Sequence, residues 1–153
     1  LFGESIMSVR LFSLLVSLLL VISYFIFIAI TSSRNVAYYS SMSLLLLPMF
    51  NIQSICFYNE IGSLAFVLLS LIFLKKEKLS FFSLTGIIAI FYLESALAFY
   101  ASILIFSLID CFKDRDKTKN IKVIIATSIP IISLLIFFLC EYLATGNLSN
   151  HIT

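Results

Sequence analysis

Twenty consecutive residues, Leu11 to Ile30, read LFSLLVSLLLVISYFIFIAI and carry no charge. Wound as a helix, a run of this length rises about 30 Å, the thickness of a bilayer's hydrocarbon core. Backbone amides in that core must pair within their own segment, so the run specifies an α-helix. It is too long for a signal-peptide core of roughly 7–15 residues, and no small-residue cleavage site follows it. The rest of the chain has the same character: 61% of residues are hydrophobic, 12% are charged, and the mean hydropathy is +1.14. Soluble domains average about 25% charged residues. The expected fold is therefore all-α, a polytopic transmembrane helix bundle forming one domain over residues 1–153. The first residue is Leu and no soluble domain is visible, so the chain is expected to be part of a longer one.

Polar punctuation divides the chain into further apolar segments. The first span ends at TSSRN. The second, VAYYSSMSLLLLPMF from Val36 to about Phe50, carries Pro48 near its exit and is followed by a polar turn, NIQS. The third runs from about Ile55 to Leu74 and stops at KKEK. The last is IKVIIATSIPIISLLIFFLCEYL, 121–143, with a polar tail ATGNLSNHIT. Small residues four apart, Ser13/Ser17, Ala37/Ser41 and Ala98/Ser102, suit close helix contact.

The segment between KKEK and the charged loop DCFKDRDKTKN, residues 79–109, has two readings. As one tilted helix it puts two basic clusters on opposite sides of the membrane, against the positive-inside rule. As a short helical hairpin, each arm is roughly 21 Å long, shorter than the core but able to reach its outer half. Under the hairpin reading every Lys and Arg except Arg10 falls on one side, which assigns the loops at 31–35, 75–78 and 110–122 to the cytoplasm. Glu77, Asp110, Asp114 and Asp116 then read as solvated loop charges. Glu4, Glu60, Glu94 and Glu141 fall at outer span ends or at the hairpin tip.

Four places at that outer side are candidate sites. Glu4 and Arg10 flank the entry to the first span; Arg10 suits a lipid phosphate with its planar fork, or snorkels to headgroups. Asn59 and Glu60 open the third span, where an acid in the first turn caps a helix or contacts a sugar or metal. Glu94, at the hairpin tip, must find water, a cation or a donor. It caps a helix there or lines an outer-leaflet cavity. Asn147-Leu148-Ser149 matches an N-glycosylation acceptor. Soluble catalytic patterns are absent: no P-loop, GxGxxG, GxSxG or HExxH occurs. Cys56, Cys111 and Cys140 form no CxxC, so no metal site is implied, and His151 reads as a surface residue. The basic loops are short and mixed with acids, so nucleic acid is not an expected partner.

The order of these pieces resembles the integral-membrane GT-C glycosyltransferases, the class of protein O-mannosyltransferases and lipid A aminoarabinose transferases. FGESIMSVRLFS is similar to the segment that opens an early helix in that class. YNEIGSLAFVLLSLIFLKKEK is similar to a later helix with an acidic start and a basic cytoplasmic end. LSFFSLTGIIAIFYLESALAF resembles the hairpin that follows, and SIPIISLLIFFLCEYLATGN a later span with a central proline. The resemblance implies transfer of a sugar from a polyprenyl-phosphate donor at the outer or lumenal face. Arg10 would hold the departing phosphate, and Glu60 and Glu94 would line the donor cavity. The class's catalytic acid lies upstream of the first of these segments, so these residues alone are not expected to be catalytic. Where many members carry Lys or Arg at the hairpin tip, this chain has Glu94. A carboxylate there suits sugar hydroxyls or a divalent cation bridging to phosphate; no other cofactor is expected. The rival expectations are a secondary transporter, with carboxylates inside its bundle, and a non-enzymatic membrane subunit.

Overall fold

The computed structural model describes residues 6–55, 59–113 and 117–145. All regular structure among them is helical: α1 Ile6–Thr31, α2 Arg34–Leu46, α3 Pro48–Ile55, α4 Asn59–Lys75, α5 Leu79–Tyr92, α6 Ala96–Phe112 and α7 Lys117–Thr145. Two helices are long and apolar enough to cross a membrane, Met7–Thr31 and Lys117–Ala144. A third qualifies if α3 and α4, bent by 103°, are taken as one broken span.

The distribution of side chains supports association with membrane. Among the described residues the buried polar ones are Ser and Thr, including Ser13, Ser17, Ser23, Ser63, Ser70 and Thr127, whereas Leu14, Leu15 and Leu18 of α1 and Leu135, Ile136 and Leu139 of α7 are exposed. In water that arrangement leaves a large apolar surface uncovered. In lipid it is the expected one: apolar tails match the exterior, while small hydroxyl residues let helices approach and bond. Most of these hydroxyls return a hydrogen bond to the preceding turn, as Thr127 does to the Val123 carbonyl at 2.8 Å.

Two apolar clusters hold the bundle. One joins α1, α3 and α4 through Leu20, Phe50, Ile61, Ala65 and Leu68. The other joins α5, α6 and α7 through Phe82, Ile90, Tyr100, Ala126 and Leu134. The contact of α4 with α5 links the two halves. At Gly86 the side chains of α6 and α7 close in on the α5 backbone. A Cβ there would lie 2.8 Å from the Pro130 ring and 3.0 Å from that of Tyr100. Side-chain hydrogen bonds tie α4 to α5 and α6, and α5 to α7. Tyr100 donates to Ser70 Oγ at 2.9 Å, Ser63 to the Ala89 carbonyl at 3.2 Å, and Ser83 to the Ala126 carbonyl at 2.8 Å.

The hairpin reading of 79–109 holds. Helix α5 stops at Tyr92, Leu93 is extended, and α6 starts at Ala96. The return is antiparallel, since Ile103 and Asp110 toward the end of α6 line one cavity with Leu79 at the start of α5. The arms do not pack tightly on each other; α7 packs against both. Long-range bonds at the other end fit the same layout. Lys75 Nζ reaches the Ile30 carbonyl at 3.4 Å, and Lys119 pairs with Glu77. The segments after α1, after α4 and before α7 therefore meet at one end of the bundle.

Three boundaries differ from the sequence reading. The second span is not one helix to Phe50: α2 has 13 residues and ends before Leu47, which is extended at φ −69°, ψ 119°. A residue before proline is driven out of the helical region, and Pro48 then occupies the first position of α3, where its missing N–H costs nothing. NIQS is not a turn but the body of α3. The charged loop 110–122 is mostly helix, with α6 running to Phe112 and α7 starting at Lys117.

Candidate functional site

Glu4, Asn147 and His151 lie outside the described residues. Arg10, Glu60 and Glu94 share the other end of the bundle, away from the lysines. Ser13, one turn after Arg10, donates to the Ser54 carbonyl of α3, and a Cβ on Gly62 would overlap the Tyr92 ring two residues before Glu94. All three side chains are exposed, and no described hydrogen bond or ion pair joins them. Arg10 stands in a shallow depression on α1 with Met7, Leu11 and Leu14, all of them exposed. It thus projects from an apolar stripe rather than into a cleft. Glu60 lies in the first turn of α4, where the helix dipole favours an acid. At the hairpin tip the Glu94 carbonyl accepts from the Leu97 N–H at 2.9 Å, so its backbone shapes the turn. Ser95, at the start of α6, makes no side-chain cap. No group of three or more His, Cys, Asp or Glu that could hold a metal occurs among the described residues.

The better-formed cavity lies at the opposite end, built from residues that read as loop charges. Helix α4 ends in KKEK. The Glu77 N–H bonds the Leu74 carbonyl at 3.0 Å and the Lys78 N–H bonds the Phe73 carbonyl at 2.9 Å, which is a Schellman motif. Its left-handed position, usually glycine, is Glu77 at φ 59°. That conformation carries a steric cost in any residue with a Cβ. It also sends the side chain across to α7, where a Glu77 carboxylate oxygen lies 2.6 Å from Lys119 Nζ. The hydrogen bond and charge of Lys119, with a smaller contribution from Lys122, hold the Glu77 carboxyl below its ordinary value of 4.5.

Behind this pair is a cavity of about 520 Å³. Its apolar wall includes Leu74, Ile103, Phe106 and Val123; its polar rim includes Glu77, Asp110, Lys119 and Lys122. The volume lies within the roughly 300–1,000 Å³ range of small-ligand sites. The sequence contains no local motif for it, because the Glu77–Lys119 contact joins residues 42 apart. The one available signal was an acid standing where the end of a helix calls for glycine.

Compared with family models, with curated proteins and with solved structures, the chain matches none.

Proposed function

We propose that this chain is an integral, multi-pass membrane protein that contacts a polyprenyl-phosphate carrier, as the membrane part of a glycosyltransferase. The insertion and its direction are supported by the charge layout. Lys75, Lys76, Lys78, Lys117, Lys119 and Lys122 gather at one end, and Arg10 stands at the other. Positive charge is retained on the cytoplasmic side, so the lysine-rich end faces the cytoplasm and the Arg10 end faces out. Glycosyl transfer rests on the sequence resemblance.

The observation that favours a carrier lipid is the setting of Arg10. A guanidinium within an exposed apolar stripe is poorly placed for a soluble ligand and well placed for a phosphate whose tail lies in the bilayer. Glu60 and Glu94 are one helix end away and are available to sugar hydroxyls; no cavity is needed for that role. A proton- or sodium-coupled transporter is less favoured, since the buried polar groups among the described residues are Ser and Thr rather than carboxylates.

The test is binding in lipid nanodiscs, with undecaprenyl phosphate compared against the phosphate-free polyprenol. The phosphate form should bind more tightly, and Arg10→Ala should remove roughly tenfold of that preference, as expected for one charge-assisted contact. Equal binding of the two lipids, or an Arg10→Ala variant that keeps the preference, sinks the carrier reading.

A further inference from the structure

We propose that the cavity between α4, α6 and α7 holds a membrane lipid whose headgroup is zwitterionic, a phosphate bearing a primary amine. The site lies at the lysine-rich end, away from Arg10, and it rests only on the chain being in a bilayer.

The argument starts from where the two kinds of wall lie. Ile103 and Phe106 belong to α6, and Phe106 is 69% exposed, so this wall opens onto the lipid-facing surface. The rim is charged and sits where the helices end. A cavity apolar on one side and charged on the other fits an amphiphile lying across the interface, with its chain along α6 and its headgroup at the helix ends.

The rim charges specify the headgroup. Lys119 and Lys122 project from the first two turns of α7, and Thr118 lies in the first turn. The start of a helix carries the positive end of its dipole, which favours an anion. Lysines at that end of a helix work against its dipole, and a bound phosphate reverses the penalty. Yet Glu77 and Asp110 face the same space, so an anion carrying no positive group meets two carboxylates as well as two ammoniums. A phosphate with a primary amine matches both: phosphate toward Lys122 and the start of α7, amine toward Asp110. Choline phosphate fits less well, because a quaternary ammonium donates no hydrogen bond to a carboxylate. Glu77 is held in place beforehand by the left-handed turn and its pairing with Lys119, so the rim is preorganised.

The experiment is native mass spectrometry of the full chain released from nanodiscs. Each nanodisc holds phosphatidylcholine doped with equal amounts of phosphatidylethanolamine and phosphatidylglycerol. Ethanolamine lipid should be retained over both others. Lys122→Gln should lower its retention roughly fivefold, the scale of one lost charged contact. Asp110→Asn should turn the preference toward the glycerol lipid. Asp110 and Lys122 are exposed, so both variants should fold. Arg10→Ala serves as the control and should retain ethanolamine lipid as the parent does, which separates this site from the carrier reading. Retention without headgroup preference, or preference for phosphatidylglycerol in the parent protein, overturns the proposal. So does an Asp110→Asn variant that keeps the ethanolamine lipid.

Discussion

Single residues here act through the backbone groups they leave bare. Pro130 lies inside α7 and has no N–H, so the Ala126 carbonyl four residues earlier loses its helical donor. In hydrocarbon there is no water to replace it. Ser83 on α5 supplies the bond, 2.8 Å from the Ala126 oxygen. The proline therefore turns an intrahelical bond into an interhelical one. This predicts a coupling. Ser83→Ala should destabilise the protein by about 1 kcal/mol. In a Pro130→Ala background α7 restores its own bond, and the same change should cost little. A double-mutant cycle read by thermal or denaturant unfolding in detergent micelles checks this; equal costs in the two backgrounds refute it. The hydroxyls of Ser63 and Tyr100 also tie α4 to α5 and α6, but onto groups no proline has bared: the Ala89 carbonyl, which keeps its bond from the Leu93 N–H, and Ser70 Oγ. The sequence displays each of these Ser, Tyr and Pro residues, but nothing in it pairs residue 83 with residue 126.

At the scale of elements, the two prolines have different outcomes for a physical reason. Pro48 drives the residue before it out of the helical region, so the chain breaks at Leu47 and restarts as α3. Asn51, one turn into α3, reaches back to the Leu45 and Leu47 carbonyls at 3.0 and 3.2 Å. That polar residue looked like part of a turn, and it instead closes the end of α2. The end of α4 shows the opposite compromise. Glu77 accepts a left-handed backbone where glycine is cheaper, and its carboxylate gains Lys119. Because folding lowers the Glu77 pKa, the pair's contribution is present above the ordinary carboxylate value of 4.5 and is lost as pH falls through the lower folded value. Three variants separate the terms. Glu77→Gln keeps the strained backbone and loses the charge, so it should melt below the parent at neutral pH, and the gap should close in acid. Glu77→Gly loses the charge and the strain together, so it should melt above Glu77→Gln at every pH. A pH-independent gap between parent and Glu77→Gln removes the ion pair from the account. Both side chains are more than half exposed, 61% for Lys119 and 69% for Glu77, so the effect should be small and weaken with salt.

For the whole molecule, the telling number is the length of each element against a core of about 30 Å. Helices α1 and α7, with 26 and 29 residues, rise about 39 and 43 Å and can cross with tilt. The arms α5 and α6, with 14 and 17 residues, rise about 21 and 26 Å. Both pack against the longer α7, and their polar turn at Leu93–Ser95 is exposed at Glu94 and Ser95. This layout predicts that reporters fused after Lys78 and after Lys117 lie on the same side of the membrane, and that a small tag beside Glu94 lies on the other. Opposite locations for the first two would remove both the hairpin topology and the proposed cytoplasmic face.

What the sequence determined by itself rests on local hydropathy and charge. It established that the chain is helical, and that the runs at 11–30 and 121–143 are long enough to span. It also put a break near Glu94, because an uninterrupted helix would have carried basic clusters to both ends. Those properties follow from the backbone's need for internal hydrogen bonds and from where charge can lie, neither of which depends on a distant partner. The tertiary structure decided what each polar residue faces. It turned Arg10 outward into an apolar stripe, and left Glu60 and Glu94 exposed at one end without bonding them to each other. It drew Glu77, Asp110, Lys119 and Lys122 around one cavity. Such contacts join residues tens of positions apart and depend on how helices cross and how closely they approach, which at Gly86 is set by the absence of a single Cβ.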